Sequence, residues 1–151
     1  MAINLAILNC VSGDFWRLLS DRWRFCVRRI WAYCFLYDSQ EPPPPIGVVE
    51  LTAHCREKGL PLLLGCDANS HHTVWGSSNV NARGEALLQY LAPTDLRILN
   101  RGDDPTFVSA VRRKVIDRTL CAVEIKPYLR KWRVSKETSL SNHWCIKFEW
   151  H

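Results

Sequence analysis

The chain has 151 residues, 47% of them hydrophobic, a formal net charge of +5 and a pI near 8.9. That is the size of one domain with enough apolar content for a core, and no stretch approaches the roughly 20 apolar residues a membrane-spanning helix needs. The positive excess favours anionic partners such as nucleic acid, while seven cysteines without a Cys-x-x-Cys pair argue against a disulfide scaffold or a structural zinc site.

The N-terminus, MAINLAILNC, is apolar but lacks the basic flank and cleavage pattern of a signal peptide, so a nuclear or cytoplasmic protein that is not secreted is expected. Residues 15 to 31 admit two readings. Helical spacing through Phe15, Leu19, Trp23 and Ile30 would make a basic amphipathic segment able to lie on a membrane, whereas the β-branched, aromatic and Cys content from Phe25 to Tyr37 predicts a strand. The preferred reading is a helix or irregular segment to about Arg22, then a strand, with no stable membrane association. Arg17, Arg22, Arg24, Arg28 and Arg29 make this stretch strongly basic.

Pro42 to Pro45 form a stiff connector that opens a helix, with apolar spacing Ile46, Val49, Ala53 and Gly59 as its stop. Leu60 to Gly65 then reads as a buried strand, apolar on both faces, which gives way abruptly to Asp67-Ala68-Asn69. If extended geometry persists for two more residues, Asp67 and Asn69 point to the same side at the carboxyl edge of a sheet, where open α/β sheets keep their chemistry. Asp-x-Asn is also ordinary turn chemistry. His71 and His72 lie near His54 and Cys55 in type but lack zinc-ligand spacing, since adjacent histidines point apart.

After a loop over residues 68 to 82, Gly84 to Leu91 predicts a second helix with Leu87, Leu88 and Leu91 inward and Pro93 beyond its end. Short strands follow at Leu96 to Asn100, Thr106 to Ser109, Val115 to Ala122, Trp132 to Ser135 and Trp144 to Trp150. Helices early and strands late imply a mixed α/β or α+β sandwich. Two further polar spots interrupt the strands: Asp117 in Val115-Ile116-Asp117-Arg118-Thr119-Leu120, and Ser141-Asn142-His143 before the last strand. A carboxylate inside a strand needs a partner, and an imidazole would satisfy it while being held in one tautomer and favoured as imidazolium. Arg112, Arg113 and Lys114 form a second basic cluster able to meet phosphates.

The segments GCDANSHHTVWGSSNVNARGEALLQYL, LRILNRGDDPTF, VIDRTL, the tryptophan of KWRVS and SNH resemble, in order and spacing over about residues 36 to 150, the endonuclease/exonuclease/phosphatase superfamily. Within it, the resemblance is to the endonuclease domain of insect-type, jockey-like non-LTR retrotransposons. It implies a deoxyribonuclease-like four-layer sandwich of two mixed β-sheets flanked by helices, here partial. The chain would divide into an unmatched basic and aromatic segment, residues 1–30, and an N-terminally truncated domain, residues 31–151.

The implied reaction is metal-dependent hydrolysis of a DNA phosphodiester, with magnesium or manganese, in a parent element that also carries a reverse transcriptase domain. The family's motifs carry over to Asp67 and Asn69, which orient or activate water and contact phosphate, and to Asp117, which supports the catalytic His143. Arg112, Arg113, Lys114 and Ser141 would meet the nucleic acid. Three departures stand out. The acidic member of the last motif is Asn142, which keeps an oxygen for the metal but loses the charge, leaving Asp67 as the other ligand. No upstream strand carries the family's metal-binding glutamate, and Glu41 lies beside the proline tract on the wrong side of the later motifs. The family's tyrosine should fall near Tyr33, yet ungapped alignment puts Cys34 there. Weak or absent metal binding and an impaired nuclease are expected. The alternatives are a DNA-binding remnant without catalysis and a relic without function.

Overall fold

The architecture is built on the apolar run at residues 62 to 66. In the computed structural model, which describes residues 2–5, 31–36, 43–137 and 141–151, Leu62–Asp67 is a strand, β3, buried on both faces until Asp67. Before it come β1 (Ala2–Leu5), β2 (Trp31–Leu36) and α1 (Ile46–Glu57). After it come α2 (Ala82–Leu91), β4 (Leu96–Ile98), β5 (Phe107–Val108), β6 (Arg113–Lys114), β7 (Asp117–Ala122), β8 (Leu129–Ser135) and β9 (Cys145–Trp150). The arginine-rich stretch before residue 31, Glu41 and the predicted strand's first residues lie outside the described residues.

A four-stranded sheet runs β2-β3-β7-β4, parallel between β2 and β3 and antiparallel elsewhere, so it is mixed. A three-stranded sheet runs β1-β9-β8 and is antiparallel among the described strands. Alternation along β3 fills two cores: Leu62, Leu64 and Cys66 pack with α1 and α2, while Leu63 joins Cys121, Leu129, Ile146 and Phe148 between the sheets. The result is helices on a sheet on a second sheet, with α/β layering as predicted.

Helix α1 forms where the prolines and Gly59 predict it, but its inward face is different. Val48, Leu51, Thr52 and Cys55 are buried, whereas Ile46 is 68% exposed and Ala53 is exposed. The i, i+3, i+4, i+7 stripe that starts at Val48 meets the sheet, and the one starting at Ile46 does not. Gly59 adopts φ +60, and the bonds Leu60 N–H to Cys55 O (2.8 Å) and Gly59 N–H to Arg56 O (3.2 Å) close a Schellman cap. In α2, Leu87 and Leu91 are buried and Leu88 half-buried, as the spacing predicted.

The turn after β3 is locked onto α2. Asn81 caps the helix, its Oδ1 accepting from Gly84 N–H (2.8 Å) and His71 N–H (2.9 Å), while its amide donates to Asn69 O (3.2 Å). Gly84 permits the approach: a Cβ there would lie 1.9 Å from His71 O. Gly84→Ala is therefore expected to destabilise the fold by about 1–3 kcal/mol despite alanine's better helix propensity, read as a lower urea midpoint. An unchanged midpoint would mean that the loop moves away freely.

Candidate active site

Asp67 ends β3 and Asp117 begins β7, and the antiparallel register sets them directly opposite each other. His143 reaches them from the other sheet. Its backbone forms an isolated bridge to Phe107, flanked by Val108 N–H to Asn142 O (2.8 Å) and Trp144 N–H to Thr106 O (2.7 Å), and its ring meets Phe107 edge-on at 5.0 Å. The short strand β5 thus holds the histidine against the end of the sheet.

His143 Nδ1 lies 3.0 Å from both Asp117 oxygens, and Nε2 lies 3.7 Å from Asp67 Oδ2. Asp117 is fully buried, so this imidazole is the partner that a carboxylate within a strand requires. The hydrogen bond to Asp117 raises the His143 pKa above the ordinary histidine value against the opposing cost of burial, so the imidazolium is favoured. Burial, reinforced by the neighbouring Asp117 charge, raises the Asp67 pKa above the usual carboxylate value.

Asn69 corrects the expectation of continued extended geometry. Its φ is +41, so alternation stops at Asp67, and its N–H donates to Asp67 Oδ1 at 3.2 Å in an Asx turn. The turn reading is realised: one oxygen of Asp67 shapes the turn, and the other faces His143 at 3.7 Å. Ser141 Oγ accepts from His143 N–H at 3.1 Å and is exposed, as are Asn142, Arg112 and Arg113. Lys114 is half-buried in the same β5–β6 hairpin. The parallel register pairs Tyr33 with Leu64 and Cys34 with Gly65, so Cys34 holds the position of the same parity as Asp67. His71 and His72 are occupied elsewhere: His71 Nδ1 bonds Asn79 at 2.7 Å, and His72 Nδ1 accepts from Val74 N–H.

Four supporting residues escaped sequence reasoning. Thr106 Oγ1 accepts from Ile116 N–H (3.1 Å) and Asp117 N–H (2.9 Å). Asn100 donates to Asp117 O and accepts from Thr119 N–H, both at 2.9 Å, extending the β4–β7 ladder. Asn81 fixes Asn69, and Arg118 is wholly buried. Only Arg118 carried a signal, being a cation inside an apolar strand.

The chain has counterparts among known proteins. The family described as endonuclease-reverse transcriptase matches residues 45–147. The chain belongs to that family. Among solved structures, it resembles the endonuclease domain of TRAS1, a telomere-specific non-LTR retrotransposon, with 29% identity and a TM-score of 0.68. That match covers 78% of this chain and 55% of the other, so the chain spans little more than half the length of the solved domain. None of the curated proteins matches.

Endonucleases of this kind typically use a divalent metal. Among the described residues, one group offers ligand atoms close enough together, Asp67, Asp117 and His143, all within 4.8 Å of one another. Both Asp117 oxygens face His143 Nδ1, while Asp67 Oδ1 accepts from Asn69 N–H and Oδ2 faces His143 Nε2 at 3.7 Å. Magnesium is ordinarily held by one or two carboxylates with waters and substrate phosphates completing its shell, so Asp67 is the carboxylate of this set that would hold such a cation.

Proposed function

We propose that this chain is a retrotransposon endonuclease domain whose ancestral reaction is nicking of DNA and whose activity is impaired. The family match supports the reaction class, and the juxtaposition of Asp67, His143 and Asp117 carries the reading. Asp117 fixes the His143 ring through Nδ1, so Nε2 is presented toward Asp67. As imidazolium, His143 offsets negative charge developing on the phosphate, and ionised Asp67 accepts a proton from the attacking water. Asn69, next to Asp67, contacts a phosphate oxygen. Binding of magnesium or manganese is weak or absent, because Asn142 lacks the charge of the family's aspartate.

The test is nicking of supercoiled plasmid with magnesium or manganese. Slow turnover is expected, and Asn142→Asp should raise it by about 10-fold or more, the scale on which groups around a metal alter activity. Robust turnover of the unmodified chain would contradict the impairment, and no gain with Asn142→Asp would mean that this position does not serve a metal.

The exposed arginines of the β5–β6 hairpin favour a second reading, a module that binds DNA without cutting it. Neutralising Arg112, Arg113 and Lys114 together should then reduce the slope of log K against log salt by about 2 to 3, as loss of three phosphate contacts requires. An unchanged slope would place the DNA elsewhere. The parent element's reverse transcriptase domain is the partner that the family implies.

A further inference from the structure

Arg118 follows Asp117 directly, so its side chain lies on the opposite face of β7, paired across the ladder with Cys66. It is wholly buried, yet among the described residues no carboxylate pairs with it. Nη1 donates to Asp117 O at 2.8 Å, and Nη2 donates to Ser70 O (2.6 Å), Val115 O (2.7 Å) and Ser77 Oγ (3.3 Å). The guanidinium lies 4.9 Å over the Trp75 ring, whose indole N–H donates to the same Ser70 carbonyl at 3.0 Å. Nε has no partner.

These acceptors belong to two segments: the turn that follows Asp67, and the approach to β7 that carries Asp117. The β3–β7 ladder ends at the Asp67–Asp117 rung, and beyond it, among the described residues, Ala68 N–H donates to Ile116 O (3.2 Å) and Ser77 Oγ donates to Val115 O (3.1 Å). Like charges opposite each other push strands apart, and here they do so where the ladder is weakest. Burying a guanidinium costs several kcal/mol before its bonds are counted, so a fork placed across this splay is an expensive feature.

We propose that Arg118 is a positioning residue that clamps the two segments against the mutual repulsion of Asp67 and Asp117, and so sets the spacing at which both carboxylates address His143. Burial lowers the Arg118 pKa to about 10, opposed by the fields of Cys66, Asp117 and Asp67, so the cation persists at neutral pH. The proposal rests on reading these three residues as the reactive group, but its test needs no catalysis.

The experiment compares Arg118→Met and Arg118→Lys, each with and without Asp67→Asn, by thermal unfolding and by the ring nitrogen and Nδ1-proton resonances of His143. In spectra taken above the pH at which His143 loses its proton, folded Arg118→Met is expected to lose the Nδ1–H single-tautomer pattern of His143, with Arg118→Lys, which keeps the charge without the fork, in between. Asp67→Asn removes the repulsion, so in that background the Arg118 substitutions should lower Tm by less than half as much. A wild-type His143 pattern in folded Arg118→Met, or additive Tm shifts, would overturn the proposal. If neither single variant folds, Asp67→Asn must rescue folding, and no rescue would equally overturn it. A chain that never nicks DNA but shows these shifts would contradict the proposed function and leave the clamp standing.

Discussion

Replacing His143 by Asn is expected to lower the proposed nicking by about 10²- to 10⁴-fold while leaving the fold intact, because the substitution separates two jobs of one side chain. The Asn amide donates from nearly the position of Nδ1, so Asp117, which is fully buried, keeps a partner. What is lost is the group at Nε2 that faces Asp67 and can carry positive charge. His143→Ala should lose the same activity and also cost about 3–5 kcal/mol of stability, since it strands a buried carboxylate. Equal nicking by His143→Asn and the unmodified chain, measured on supercoiled plasmid, would remove the histidine from the reaction. The pH dependence has a definite sign. Activity needs Asp67 ionised and His143 protonated, and both pKa values are raised, so it should rise with pH through a point above the ordinary carboxylate value. It should fall again above the ordinary histidine value.

Trp75→Ala should cost about 3–5 kcal/mol of stability, a large share of the roughly 5–15 kcal/mol that holds a domain together. Trp75 is 2% exposed and packs in the helix-side core, its indole N–H satisfies Ser70 O, and its ring face covers the Arg118 guanidinium. Truncation opens a cavity and withdraws the π-face from a buried cation at once. Trp75→Phe should recover most of the packing but not the hydrogen bond, placing it between the two in denaturant titration. A loss below 1 kcal/mol for Trp75→Ala would mean that the loop over residues 70 to 77 does not rely on this anchor.

The sequence made some of this structure legible for stateable reasons. Asp117 announces itself because a carboxylate in an apolar strand demands a partner, and the partner proposed for it, His143, is the one found. Proline and glycine punctuation located α1, but a two-residue offset in the apolar spacing, which turns a helix by about 200°, assigned the wrong face, since Thr52 and Cys55 are buried and Ile46 is not. The strands β1, which pairs with β9, and β6, and the first half of β8, were missed. Arg113 and Lys114 are strand only by pairing with Phe107 and Val108, and β8 is bulged between Arg130 and Arg133, which breaks its alternation. The left-handed Asn69 and the role of Arg118 were hidden for a common reason. Their determining partners are backbone groups, namely Asn69 O for Asn81 and the carbonyls of residues 70, 115 and 117 for Arg118, and backbone partners leave no mark in residue identity.

The central claim is that Asp117 and Asp67 hold His143 as a cationic group at the sheet edge. Titration of His143 by NMR, in the unmodified chain and in Asp117→Asn, tests it most directly. The unmodified chain should show His143 titrating above the ordinary histidine value, so that its contribution to stability is complete below about pH 6.5, the unfolded value, and is lost as pH rises through the folded one. In Asp117→Asn the titration should fall back to the ordinary value or below it. An ordinary His143 titration in the unmodified chain, or one that Asp117→Asn leaves unmoved, would contradict the account.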